Sequence, residues 1–273
     1  MNKAVIACHV FYNELAALAG DHGIDIELLP QGLHNYVESE KMMAAIQSKI
    51  DKMEAKKDYD YIILAYGYCS GGVEGLKANK AGLVISLLHD CIPLLLGSNG
   101  AAAGGSIDDG ATYYLSRGWI DCGGDSYKEH LFLIEQLDLL LDRFARYQQE
   151  NEGAVVLWPE KDQYQQMRRK YSPETAEMIT YELLKNYRSL TLIDNNNLEP
   201  IHLEYAREMH SFLNDLLTKH RGDGLQLIVR PGNTELLEKL LFFEKLDADT
   251  QKKLFLITAP GEPLNLRKHL LKF

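Results

Sequence analysis

Four short aliphatic runs near the start of the chain constrain its fold more than any other feature. They are Lys3-Ala4-Val5-Ile6-Ala7-Cys8, Ile24-Asp25-Ile26-Glu27-Leu28, Tyr61-Ile62-Ile63-Leu64-Ala65-Tyr66 and Leu83-Val84-Ile85-Ser86-Leu87. The second alternates apolar and polar residues, and the others are nearly continuous. Continuous apolar runs of this length are the mark of strands buried on both faces. Helical spacing separates them, from Phe11 to Ala19 and across Met42, Met43, Ile46, Ile50 and Met53. Strands alternating with helices predict an α/β fold: a doubly wound, Rossmann-like parallel sheet with right-handed crossovers.

The rest of the chain predicts a second, smaller α/β unit. Thr112 to Ser116 reads as an edge strand, and His130 to Tyr147 as one long helix. Ser172-Pro173-Glu174 is a helix start, with Ser as N-cap and Pro in the first turn. Three more buried strands are expected at Leu190–Ile193, Leu225–Val229 and Leu254–Ile257, with helices near 201–219 and 234–246. The polar stretch 150–172 suggests a boundary, giving units 1–150 and 151–273, the second closing a cleft over the first. In that arrangement the Pro260-Gly261-Glu262 turn faces the first unit's site.

Charge and length narrow the function. The 273 residues carry 29 basic and 39 acidic side chains, a net charge of −10. That excess repels nucleic acid and anionic membranes, so neither is expected as a partner. The first apolar run is too short for a secretory signal, and no stretch approaches the roughly 20 residues of a membrane helix. The chain is therefore read as cytoplasmic, where thiols stay reduced and cysteines serve metal binding, catalysis or packing before disulfides.

Three of the four cysteines share a topological position. Cys8 ends the first strand, Cys69 follows the third and Cys91 follows the fourth. In a parallel sheet these are all carboxyl-end positions, where ligands bind. Three clustered thiols suit a metal that neutralises their charge. Two centres fit three cysteines with an open fourth position: Zn²⁺ and a [4Fe–4S] cluster. His9 and His89 are candidate fourth ligands, and Asp90 a partner that would orient one of them. Without a metal, Cys69 and His89 could serve as nucleophile and base, with His89 and Asp90 as the catalytic pair. The plain alternative is that each cysteine is a small buried hydrophobe, and no CxxC spacing argues against it. Cys122, in a turn-like Gly-Gly context, carries no expectation.

Backbone around Gly67, Ser70, Gly71 and Gly72 could cradle an anion, although the segment is neither a Walker loop nor a G-x-G-x-x-G fingerprint. Gly97 and Ser98 open a loop of small residues, and Arg117 offers a cation beside Trp119. These seven residues are the cofactor- or ligand-binding candidates.

Several segments carry a resemblance when taken together. They are Ala7-Cys8, Tyr66-Gly67-Tyr68-Cys69-Ser70-Gly71-Gly72, His89-Asp90-Cys91-Ile92, Leu96-Gly97-Ser98, Thr112-Tyr113-Tyr114-Leu115 with Gly118-Trp119-Ile120, Thr191-Leu192-Ile193-Asp194, and Pro260-Gly261-Glu262. The chain resembles, over roughly residues 3–265, an uncharacterised family of bacterial and archaeal proteins known only as a domain of unknown function. Its members are often encoded near corrinoid-dependent methyltransferases. The resemblance carries Cys8, Cys69, His89, Asp90 and Cys91 as motif positions. It implies a metal-binding protein of anaerobic one-carbon metabolism. Such a protein would be a methyltransferase-type enzyme or a non-catalytic accessory. A corrinoid is then implied as a further cofactor, and a methyltransferase, a corrinoid protein or a small-molecule ligand as partner. A basic residue expected near Ser86 or Leu87 is absent; if that residue holds an anion in relatives, the contact is missing here.

Overall fold

A computed structural model describes residues 1–20, 22–33, 39–97, 111–151 and 172–270. The chain divides into two compact units, Met1–Ile107 with Gly232–Phe273, and Asp108–Pro231.

The first unit is built on a five-stranded sheet in the order β2-β1-β3-β4-β8. Its strands are β1 (Lys3–Cys8), β2 (Asp25–Leu29), β3 (Tyr61–Ala65), β4 (Gly82–Ser86) and β8 (Phe255–Thr258). Every residue of β1 and β4 is buried, as their unbroken apolar runs require. Helix α1 (Tyr12–Ala19) follows β1, and α2 (Ser39–Lys56) carries the chain from β2 to β3. The chain steps from β1 outward to β2 and then crosses back to β3. Right-handed crossovers in opposite directions put α1 and α2 on opposite faces. The expected doubly wound parallel sheet is thus present. Its order, 2-1-3-4, places the reversal of winding between β1 and β3, and that crevice is where such sheets bind ligands.

Strand β8 runs antiparallel to β4, with Leu83 opposite Thr258 and Ser86 opposite Phe255. The last strand, expected in the second unit, therefore completes the first. Its direction also carries the Pro260-Gly261-Glu262 turn to the amino end of β4, where the Gly261 N–H donates to the Ala78 carbonyl at 2.7 Å. That edge is opposite to the one bearing the cysteines, so the turn does not face them. An antiparallel edge strand delivers its carboxyl end to the wrong side of the sheet.

The second unit holds a three-stranded parallel sheet, β5-β6-β7: β5 (Thr112–Ser116), β6 (Ser189–Asp194) and β7 (Gln226–Pro231). As expected, β5 is an edge strand. The core gathers Leu115, Ile120, Leu190 and Leu192 against Tyr205, Met209 and Leu213 of a long helix. Among the described residues, six helices lie in chain order between Ile92 and Arg221: α3 (Ile92–Leu96, in the first unit), α4 (Arg117–Cys122), α5 (Ser126–Leu133), α6 (Leu137–Glu150), α7 (Pro173–Leu184) and α8 (Pro200–Arg221). The helix expected over 130–147 is broken at Ile134–Gln136, where Glu135 takes a φ of 61°. β7 is mostly exposed rather than buried. Helices α9 (Glu235–Leu241), α10 (Ala248–Leu254) and α11 (Leu266–Leu270) return to the first unit, with α9 packing on α3, β3 and β4. Among the described residues, no helix is long and apolar enough to cross a membrane.

Candidate functional site

The carboxyl edge of the five-stranded sheet gathers the cysteines. Cys8 closes β1 one step beyond the Ala7–Ala65 rung, so Cys8 and Tyr66 leave neighbouring strands at the same level. Beyond Tyr66 the chain continues alongside the segment after β4. The Tyr68 N–H donates to the Leu88 carbonyl at 2.8 Å, and the Cys69 N–H to the His89 carbonyl at 3.0 Å. These two bonds extend the β3–β4 pairing past the strands and bring Cys69 beside Asp90 and Cys91.

Gly67 makes the close approach of these loops feasible. A Cβ there would lie 2.5 Å from the Asp90 carbonyl carbon, closer than a side chain tolerates. The backbone then turns sharply. Cys69 and Ser70 take φ values of 46° and 56°, and Gly71 takes 94°. Two consecutive non-glycine residues in the left-handed region are strained by about 1–3 kcal/mol each and persist only where the surroundings enforce them.

The three thiols are buried, at 4–7% exposure. Burial pushes Cys8 up to about 11, against two backbone N–H bonds from Val10 and His9 that favour its thiolate. Burial also pushes Cys69 up to about 12, helped by the negative charge of Cys8 and Asp90. Cys91 is held well above the ordinary thiol value by burial first, then by Cys69, Cys8 and Asp90. The Tyr66 hydroxyl is raised by burial and by all three cysteines. Four weak acids thus face one another, and among the described residues no cationic side chain is one of the groups acting on them.

The other expected residues fall variously. His89 and Asp90 are exposed, and the Asp90 carboxylate accepts the Ile92 N–H at 2.8 Å, capping the turn into α3. In the Gly67–Gly72 loop, the N–H groups of Gly71 and Gly72 are bonded to the carbonyls of Tyr68 and Cys69. With those of Tyr68 and Cys69 also engaged, most of the anticipated anion cradle is spent on the loop itself. A Cβ at Gly72 would strike the Met42 sulfur, so that glycine serves packing. Gly97 ends α3 with a φ of 63°, and the Asn233 side chain lies against its Cα, so it too answers a packing need. Ser98 lies outside the described residues. Arg117 belongs to the other unit, where it bonds Asp121 and the Asn197 carbonyl.

Two features were missed by sequence reasoning. Tyr66 reads as the last residue of an apolar strand, and nothing local marks it as a partner of thiols. In the second unit a buried polar network ties α4, α5 and α8 together. Lys128 is fully buried and donates to the carbonyls of Ile120 (2.6 Å) and Gly123 (2.8 Å), closing the C-terminus of α4. Asp125 caps α5 and accepts the Tyr205 hydroxyl at 2.6 Å. His202 Nδ1 accepts the Glu199 N–H, so its Nε2 carries the proton donated to Asp121.

The donor chemistry of the cysteine pocket suits a soft cation, since thiolates select zinc and iron. As the side chains stand, no group of three or more His, Cys, Asp or Glu among the described residues is arranged to hold a metal ion. Ligation would therefore require the thiols to rotate toward a common point. Neither a curated protein nor a solved structure matches the chain. A family match covers residues 28–241, which includes Cys69 and Cys91 but not Cys8. On that match the chain belongs to the family described as Protein of unknown function (DUF1638).

Proposed function

We propose that Cys8, Cys69 and Cys91 are the ligand set of a thiophilic metal centre, Zn²⁺ or a [4Fe–4S] cluster, at the winding reversal of the sheet. The observation that carries this reading is the meeting of three buried thiols and Tyr66 with no neutralising cation among the described residues. Three thiolates could coexist there only beside a positive charge, which a metal supplies. A strained backbone at Cys69 supports it further, because such strain concentrates at functional sites. A bound zinc would supply Lewis acidity and activation of a substrate thiol. The chain's own residues would hold the ligand sulfurs and exclude water.

A role in methyl or corrinoid handling, within the reducing cytoplasm, rests on the family resemblance rather than on any distance in the structure. The same site would serve an enzyme or an accessory protein that carries a cofactor to a methyltransferase. Turnover with thiol or corrinoid substrates separates the two. A metal-free thiol enzyme is the weaker reading. A nucleophilic cysteine needs a lowered pKa and an adjacent base, whereas Cys69 is pushed up to about 12 and His89 is exposed.

The test is metal content of protein prepared without oxygen, for the wild type and for Cys8→Ser, Cys69→Ser and Cys91→Ser. Stoichiometric metal in the wild type, lost in each variant, is the expected result. Substoichiometric metal, unchanged in all three variants, would overturn the proposal.

A further inference from the structure

The second unit contains a cavity of about 700 Å³ between α5, α7 and α8, within the usual size range of small-molecule sites. Its wall is aromatic. His130 stacks on Phe212 with ring centroids 4.3 Å apart and planes at 21°, and Tyr127 lies tilted against the same Phe212 ring. Leu131, Ile134 and Leu216 add apolar surface.

Four carboxylates among the described residues also line the cavity, and they are not equivalent. Glu208 is clamped by Arg143 at 2.6 and 2.8 Å. Glu177 holds both Lys219 and His220, at 2.6 and 2.7 Å. Glu174 serves the first turn of α7 and meets Ser172 rather than a cation. Asp215 has no hydrogen-bond or ion-pair partner among the described residues. It follows Phe212 by three positions on α8, so both lie on one helical stripe. Burial lowers His130, and Lys219 is the charged basic side chain among the described lining residues, where Glu177 already engages it.

We propose that this cavity binds a small amphipathic amine, its ammonium group against Asp215 and Glu174 and its apolar part against Phe212 and His130. Two contributions combine there: a carboxylate with no competing cation among the described residues, and ring faces that attract both apolar groups and a cation. An anion of the same shape meets the carboxylates and is rejected. The inference rests on the Asp108–Pro231 unit alone and is independent of the cysteine centre.

The test is calorimetric titration of the full chain, near neutral pH, with 2-phenylethylamine and its isosteres 2-phenylethanol and phenylacetate. The amine should bind at least tenfold more tightly than the alcohol, and phenylacetate should not bind. Asp215→Asn should weaken the amine about tenfold, leave the alcohol unchanged and keep the wild-type melting curve, because Asp215 is exposed. Phe212→Leu should weaken amine and alcohol alike. If Phe212→Leu melts early, Asp215→Asn decides the matter alone. Equal binding of the three compounds, no binding of the amine, or amine binding unaffected by Asp215→Asn would each overturn the proposal.

Discussion

Loading the cysteine centre with zinc should release close to three protons. An ordinary thiol titrates near 9.0, but burial and mutual repulsion raise Cys8 to about 11 and Cys69 to about 12, with Cys91 also well above 9.0. At pH 8 roughly one Cys8 in a thousand and one Cys69 in ten thousand is a thiolate. Each ligand must therefore lose its proton on binding. Relative to ordinary thiols, ionising Cys8 and Cys69 costs roughly 7 kcal/mol more in total, at about 1.36 kcal/mol per tenfold. Structural zinc sites bind with about 10–16 kcal/mol at pH 7. Protonation opposes a large share of that binding at neutral pH, and Cys91 adds to the opposition. Affinity should then rise by up to about a thousandfold per pH unit between 7 and 9, because three protons leave. Calorimetric titrations of metal-free protein in buffers of differing ionisation enthalpy give the proton count directly. Release of fewer than one proton, or an affinity flat between pH 7 and 9, would refute the electrostatic picture of the pocket.

Further outcomes follow from single residues. Burial, then Asp125, raises Glu129 to about 7, so folding favours its protonated form. That stabilisation is complete below pH ~4.5 and is lost as pH rises through 7, so Glu129→Gln should be more stable than wild type at pH 8, by at most about 3 kcal/mol, and indistinguishable at pH 4 in urea melts. Lys128→Met should lose about 3–5 kcal/mol in the same assay, because it strands the buried Asp125 carboxylate and uncaps α4. Gly67→Ala should cost about 1–3 kcal/mol by forcing its loop off Asp90, and should cut metal content with it; normal metal content would show that the loop contact does not shape the site.

What could be read from the sequence follows from where each strand sits. β1, β3 and β4 are covered on both faces, so their apolar runs announce both strand and sheet type. Their ends then place Cys8, Cys69 and Cys91 at one edge without further information. β8 reads much the same, but a run of apolar residues says nothing about which sheet it joins or in which direction. The division near residue 150 followed composition, whereas the chain leaves the first sheet before β5 and returns after β7. The break between α5 and α6 carries no glycine or proline, and leucine spacing runs through it unmarked. The apolar Ile228 and Val229 look like core residues, yet they are 41% and 50% exposed.

The roles of the glycines in the candidate site follow the same logic. Gly67, Gly72 and Gly97 were candidates for cradling a ligand, and each instead meets a neighbour of its own chain: Asp90, Met42 and Asn233. A glycine-rich loop records only that something comes close, and a backbone is as effective as a phosphate in demanding that space. The left-handed Cys69 and Ser70 are a different matter. Glycine would relieve the strain at either position, and a packing role alone would favour it. Under the proposed function, the strain at Cys69 is accepted for the sake of its sulfur. Cys69→Gly would therefore relax the loop while removing a ligand, and should separate the two effects by lowering metal content without lowering the melting temperature. A fall in both would mean that the Cys69 side chain is there to fill the pocket.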